Sequence, residues 1–147
     1  MPRGVAAIAL VVVLAGSAAA AAAALKGKTY TGKTSVSGTG DGQRVTLIAR
    51  RIRLSVSRNG ATVKVSLPGK YPLWYCNDDP GYTGKQRTTP ARIANDGSFT
   101  ATVAEGVAAY HGTLDQRVSG RFSGAKVTGR IKTAGACGGS TTFTAHS

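Results

Sequence analysis

The sequence predicts an all-β protein built as a single antiparallel domain, a β-sandwich or a rolled meander or barrel of about seven to ten short strands. Three observations carry that expectation. Apolar residues recur with a period of two, Asn-Gly and Asp-Gly pairs separate the alternating runs, and no stretch beyond the N-terminus has a 3.6-residue apolar stripe. Composition agrees, because 20 of the 147 residues are glycine, and glycine weakens helix interiors.

The first residues follow a different pattern. Met1 to Arg3 carries one positive charge, Gly4 to Leu14 is an unbroken small apolar run, and Ala15 to Ala24 is almost all alanine. That order matches the three regions of a secretory signal peptide. Ala22 and Ala24 form an A-x-A pair, and the alanine repeat from Ala18 onward permits earlier cleavage. The expected organisation is a signal peptide over 1–24 and a secreted or envelope-associated β-domain over 25–147, with no transmembrane segment once the leader is removed. An uncleaved anchor is the alternative, since Gly4 to Leu25 is long enough to span a bilayer. The weak insertion drive of alanine and the polar Ser17 count against it. No cysteine lies near the cleavage region, so lipid attachment there is excluded.

GKTYTGKT, Gly27 to Thr34, matches the G-x-x-x-x-G-K-[ST] phosphate-binding pattern letter for letter. A P-loop needs a buried strand before it and a helix after it, whose N-terminus helps hold the phosphates. Here the strand would be the leader and the helix would be SVSGTGDGQRV, which is glycine-broken. The segment Lys26 to Ser35 therefore reads as a first strand, with threonine and tyrosine suited to a half-buried pleated surface. No nucleotide and no other cofactor is expected.

Arg53 to Leu67 gives the clearest local signal. Leu54 and Val56 alternate with polar residues, Asn59-Gly60 supplies a turn, and Val63, Val65 and Leu67 resume the alternation, which predicts a β-hairpin. Upstream, Val45 and Leu47 have one parity while Ile52, Leu54 and Val56 have the other. A bulge or corner near Ala49 to Arg51 would restore a common buried face. Asn95-Asp96-Gly97 marks a turn before the strand Ser98 to Val103. Val118 to Ile131 reads as two strands around Ser123-Gly124, with Val118, Phe122, Val127 and Ile131 inward and Gly120 and Gly129 where a ring or another backbone approaches. Thr141 to Ala145 is the last strand.

In an exported chain Cys76 and Cys137 are expected to pair. Such a bridge would stabilise the fold by very roughly 4 kcal/mol on the loop-entropy account. A free catalytic thiol and an intermolecular bridge are the alternatives. Two cysteines alone offer too few ligands for a metal site.

In order along the chain, TYTGKTS, RLSVSRNGATVKVSL, the cysteine of YCND, NDGSFTATV, VSGRFSGAKVTGRI and ACGGSTTFTA resemble a broad group of small secreted bacterial β-domain proteins of uncharacterised function. A DGSF turn, a G-x-F-x-G strand, a V-x-G-x-[IL] strand and a C-x-x-G-x-x-x-F-x-A ending carry the likeness across nearly all of 25–147. The resemblance implies the β-fold and the cysteine pair, and it brings no catalytic residues. This chain departs from that group in its ARRIR stretch and in the long YCNDDPGYTGKQRTTPARI loop, Tyr75 to Ile93.

An enzyme would have to draw on Asp78, Asp79, Glu105, Asp115, His111 and His146. Six acids leave few ways to set two carboxylates across a glycosidase cleft. Asp78-Asp79-Pro80-Gly81 reads as a turn, no G-x-S-x-G elbow is present, and His146 falls in a terminus expected to fray. The reading is a non-enzymatic domain, with a hydrolase as the third-ranked alternative.

Charge is the main functional signal. Nineteen Lys and Arg against six acids give a formal charge of +13, which steers the domain towards polyanions. Arg50, Arg51 and Arg53 form one basic group; Arg130 and Lys132 belong to a second. Tyr71, Trp74, Tyr75 and Tyr82 lie around Cys76, and Trp74 or Tyr82 offers a stacking surface, with a core position as the plainer alternative for Trp74. The leading expectation is a module for anionic envelope polymer or polysaccharide using Arg50, Arg51, Arg53, Trp74, Tyr82, Arg130 and Lys132. The rival is a structural or protein-interaction domain, inhibitor-like, presenting the Asn77 to Arg92 loop to a protein partner. Cations that only solvate the strands and block edge pairing are the plainest account. Nucleic acid would bind through counterion release in vitro, but export sets it aside as a biological partner.

Overall fold

The computed structural model describes residues 23–40, 45–76, 83–107, 112–135 and 138–147. Eleven strands run through them: β1 (Thr29–Gly40), β2 (Val45–Leu47), β3 (Arg51–Val56), β4 (Thr62–Ser66), β5 (Trp74–Cys76), β6 (Thr83–Thr88), β7 (Ala91–Arg92), β8 (Ser98–Val107), β9 (Gly112–Ser123), β10 (Lys126–Thr133) and β11 (Gly139–His146). Nine form one antiparallel sheet in the order β6-β8-β9-β10-β11-β1-β3-β4-β7, and β2 pairs with β5 in a second. The large sheet curls into a half-barrel, bringing β4 and β7 at one end against β8 near the other. The all-β expectation holds, in its rolled form.

Local chemistry explains most of the turns. The predicted hairpin is β3–β4, with Leu54 opposite Val65 and Val56 opposite Val63, and Gly60 takes φ +78° in its turn. Asn59 supports that turn by accepting the Ala61 N–H at 3.0 Å. Gly97 takes φ +79° before β8, and Asp96 accepts both the N–H and the hydroxyl of Ser98 at 3.0 and 2.6 Å. The break in alternation at Ala49 to Arg51 is a corner: β2 belongs to the small sheet and β3 enters the large one. Gly27 to Thr34, the P-loop look-alike, is a turn followed by antiparallel strand, with Lys33 exposed and Thr34 buried.

Two expectations change. The stretch expected as a loop from Asn77 to Arg92 contains β6 and β7 from residue 83 onward. Thr83–Thr88 carries no apolar alternation, so its strand state is set by pairing with β8 rather than by its own pattern. His146 is the last residue of β11, held between Thr31 and Lys126 rather than frayed.

The concave face holds the core. Tyr30, Leu54, Val63, Val65, Val118, Phe122, Val127 and Ile131 are all fully buried, and Ala24 packs with them. Each such side chain removed from water contributes about 1.5–3 kcal/mol for a Val, Leu or Phe. Tyr30 and Phe122 meet edge-on with centroids 5.0 Å apart, a geometry aromatic pairs favour. The Tyr30 hydroxyl donates to the Gly124 carbonyl at 2.6 Å and accepts the Leu25 N–H at 2.8 Å, so its polar tip is satisfied.

The two strand glycines have the role expected of them. Gly120 faces Phe99 across β8–β9, Gly129 faces Phe143 across β10–β11, and the two glycines face each other. A Cβ on Gly129 would lie 2.6 Å from the Phe143 ring, and one on Gly120 would lie 3.0 Å from the Phe99 ring. Each ring thus fills the space that its partner glycine leaves, which allows the tight curl.

Two predictions follow from this packing. Gly129→Ala should destabilise the fold by about 1–3 kcal/mol through overpacking, whereas Gly84→Ala, whose Cβ would make only ordinary contacts from 3.5 Å, should be close to neutral. Urea midpoints of the two variants check this, and equal stability would remove the ring-over-glycine explanation. Hydrogen bonds from the Ser98 hydroxyl and N–H, with Arg121 adding its charge, hold the exposed Asp96 carboxyl below its ordinary 3.8. Its contribution is present above that value and is lost as pH falls through the depressed one. Asp96→Asn should therefore flatten the pH dependence of the unfolding midpoint in that acid window.

Candidate functional site

Strand alternation at β3 divides two neighbouring arginines. Arg51 points outward and is exposed, while Arg50, just before the strand, is buried at 4% exposure. A guanidinium cannot lose its charge, so burial demands a partner. Glu105 on β8, fully buried, supplies it: Arg50 Nη1 donates to Oε2 at 2.8 Å and Nη2 to Oε1 at 3.0 Å. Gln86 Nε2 adds a bond to Oε1 at 2.8 Å, and Gln116 Nε2 one to Oε2 at 3.0 Å. The carboxylate therefore accepts four hydrogen bonds, its full capacity. Gln86 also accepts the Leu67 N–H at 3.0 Å and donates to the Leu67 carbonyl. Its carboxamide thus occupies both backbone groups of Leu67 as a neighbouring strand would. Arg50 Nη2 donates to that same carbonyl.

This network removes Arg50 from the expected polyanion-binding set, because its charge is spent inside the sheet. It removes Glu105 from the catalytic candidates as well, since no face of the carboxylate is left for a substrate. Trp74 is corrected too: at 1% exposure it is a core residue and offers no stacking face. Tyr82, Asp78, Asp79, His111 and Cys137 lie outside the described residues, as does any bridge from Cys137 to Cys76, which ends β5. Asp115 and His146 are exposed on separate strands. Among the described residues no group of three His, Cys, Asp or Glu could hold a metal ion.

The remaining candidates are on the convex face. Lys33 on β1 lies directly opposite Arg51, and Thr31 opposite Arg53. On the far side Lys132 lies opposite Arg117, and Arg130 opposite Ser119. Between β1 and β10 runs β11, whose outward row is Ser140, Thr142, Thr144 and His146. Arg51 and Arg53 are therefore brought together with Lys33, and Arg130 and Lys132 with Arg117, as two lanes rather than one stripe. At about 4.8 Å per strand, β1 and β10 are about 10 Å apart, beyond the roughly 8 Å over which charge acts in physiological salt.

The lanes differ in their acids. Arg121 on β9 is paired with Asp96 at 2.6 Å, and Asp115 precedes Arg117 by two residues on the same exposed row. The trough formed by Lys33, Arg51, Arg53, Thr31 and Pro68 has no carboxylate in its lining among the described residues. Lys33 escaped the sequence reading because it sits in the P-loop look-alike, far in sequence from Arg51. Only the β1–β3 register joins them.

Among the described residues no helix is long and apolar enough to cross a membrane. The chain matches no protein-family model, no curated protein and no solved structure.

Glu105→Ala should destabilise the protein by about 3–5 kcal/mol, because it leaves a buried, unpaired guanidinium. Arg50→Met combined with Glu105→Leu should cost less than Glu105→Ala alone. Chemical denaturation of both variants checks the pair, and a double variant less stable than the single one would contradict this account.

Proposed function

We propose that the protein is a non-enzymatic, exported β-domain that binds anionic envelope polymer or polysaccharide through the convex face of its half-barrel. The observation carrying this reading is the Lys33–Arg51 pair. Like charges set directly opposite each other destabilise a sheet, whereas threonine, used at neighbouring outward positions, would not. A polyanion laid across β1 and β3 neutralises both cations at once and offsets that cost. Arg53 extends the same lane, and Arg130, Lys132 and Arg117 give a second, weaker point of contact because Asp115 lies beside them.

A fixed backbone favours binding over mere solvation. Arg51 lies between Arg50, 4% exposed, and Ile52, 1% exposed. The Arg50 N–H donates to Thr34 Oγ1 at 2.9 Å and the Thr34 N–H to the Arg50 carbonyl at 2.9 Å. The cation is therefore carried on a pinned segment, which lowers the entropy lost on binding.

Retention of the folded protein on purified anionic and neutral polymers over a salt series tests the proposal. Retention on an anionic polymer should survive roughly 0.15 M salt. Arg51→Ser with Arg53→Ser should weaken it about tenfold or more, since charge-assisted bonds are worth about 1.5–3 kcal/mol each. Arg130→Ser with Lys132→Ser should weaken it less. Uniform loss of retention with rising salt, or an Arg51/Arg53 variant that binds unchanged, would sink the reading.

A further inference from the structure

The cationic trough over β1 and β3 does not end at Pro68. A second open concavity adjoins it, sharing Arg51 and Pro68 and reaching Lys70 and Tyr71. The two measure about 540 and 340 Å³, within the roughly 300–1,000 Å³ range of ligand sites. Both are open at the surface, which suits a passing chain better than an enclosed small molecule. Among the described residues neither has a carboxylate in its lining.

The two halves differ in chemistry. The first presents Lys33, Arg51 and Arg53, a set selective for negative charge. The second adds a ring and an apolar floor: Tyr71 is 38% exposed, Ile48, Ala49 and Pro68 lie beside it, and the Lys70 ammonium is 5.6 Å from the ring centroid. A polyanion without rings would use the cations and gain nothing from Tyr71. A neutral sugar would use the ring and leave the cations unmatched. Both halves are used together by a ligand carrying an oxyanion beside a ring face, and for an exported domain the polymer of that chemistry is an acidic glycan.

We propose that the trough from Arg53 past Pro68 to Tyr71 is a subsite for an acidic polysaccharide, with Arg51 and Lys33 holding the oxyanion and a sugar ring lying against Tyr71. This rests on the polyanion reading above and narrows it to a glycan. Tyr71, rather than Trp74 or Tyr82, is then the stacking residue. The segment carrying it is anchored at the seam of the half-barrel, where Thr83 donates its N–H to the Lys70 carbonyl at 2.9 Å and its hydroxyl to the Gly69 carbonyl at 2.8 Å.

The test measures binding of the folded full chain to three polymers at roughly 0.15 M salt: polygalacturonate, which has rings and charge, polyphosphate, which has charge alone, and dextran, which has rings alone. Tyr71→Ala should weaken polygalacturonate binding about fivefold or more and leave polyphosphate binding within about twofold. Tyr71→Phe should bind polygalacturonate as the native protein does, Arg51→Ser should lose affinity for both polyanions, and dextran should not be retained. Equal polygalacturonate binding by Tyr71→Ala and the native protein would overturn the subsite and leave the polyanion reading standing. Failure of the native protein to bind either polyanion would overturn both.

Discussion

A curled sheet that stops short of closing has a seam, and here a buried ion pair lies across it. Arg50 comes from the corner before β3, the third strand from one end of the nine-stranded order, and Glu105 from β8, the second strand from the other, so the bond crosses between the two halves of the sheet. Gln86 extends the link to Leu67 by occupying both backbone groups that an adjoining strand would have used. Buried unpaired, either charge would cost several kcal/mol; together, with two glutamines completing the carboxylate, they make the polar end of the interior compatible with folding. The apolar remainder of the core can then be modest, because the curl is set at both edges.

The same corner couples the interior to the surface. Alternation sends Arg50 inward and Arg51 outward, so whatever pins the first also places the second. The Arg50 backbone is tied to Thr34 in β1, and Lys33, the residue before it, is the cation opposite Arg51. The buried arginine of the ion pair and the outward arginine of the like-charge pair are thus adjacent residues, and Thr34, which ties the Arg50 backbone, is adjacent to Lys33. Breaking the ion pair would leave a buried charge unpaired, whereas the second pair sets like charges opposite each other at a cost to the sheet.

The opposite half of the sheet depends on rings rather than charges. Phe99, Gly120, Gly129 and Phe143 form one inward row across four strands. Glycine alone would weaken strands there, but each ring covers its glycine and restores the buried contact. This accounts in physical terms for the first glycine of G-x-F-x-G and the glycine of V-x-G-x-[IL]: Gly120 and Gly129 make room for rings contributed by neighbouring strands, Gly124 takes φ +58° in the turn, and Phe122 and Val127, opposite each other, fill the adjoining apolar row.

The sequence by itself determined the all-β class, the β3–β4 hairpin, the turns at Gly60, Gly97 and Gly124, the corner before Arg51 and the inward set Val118, Phe122, Val127 and Ile131. Each of these is encoded locally, by alternation or by a residue that tolerates positive φ. Only the tertiary structure decided what happened across strands. Arg50 looked like its neighbours Arg51 and Arg53 until Glu105, distant in sequence, drew it inside. Thr83–Thr88 had no strand pattern until β8 paired with it, and Trp74 looked like a binding surface until the core enclosed it. Lys33 joined Arg51 only through the β1–β3 register. Charge and hydrogen-bond partners depend on which strands become neighbours, and residue order along one strand does not carry that information.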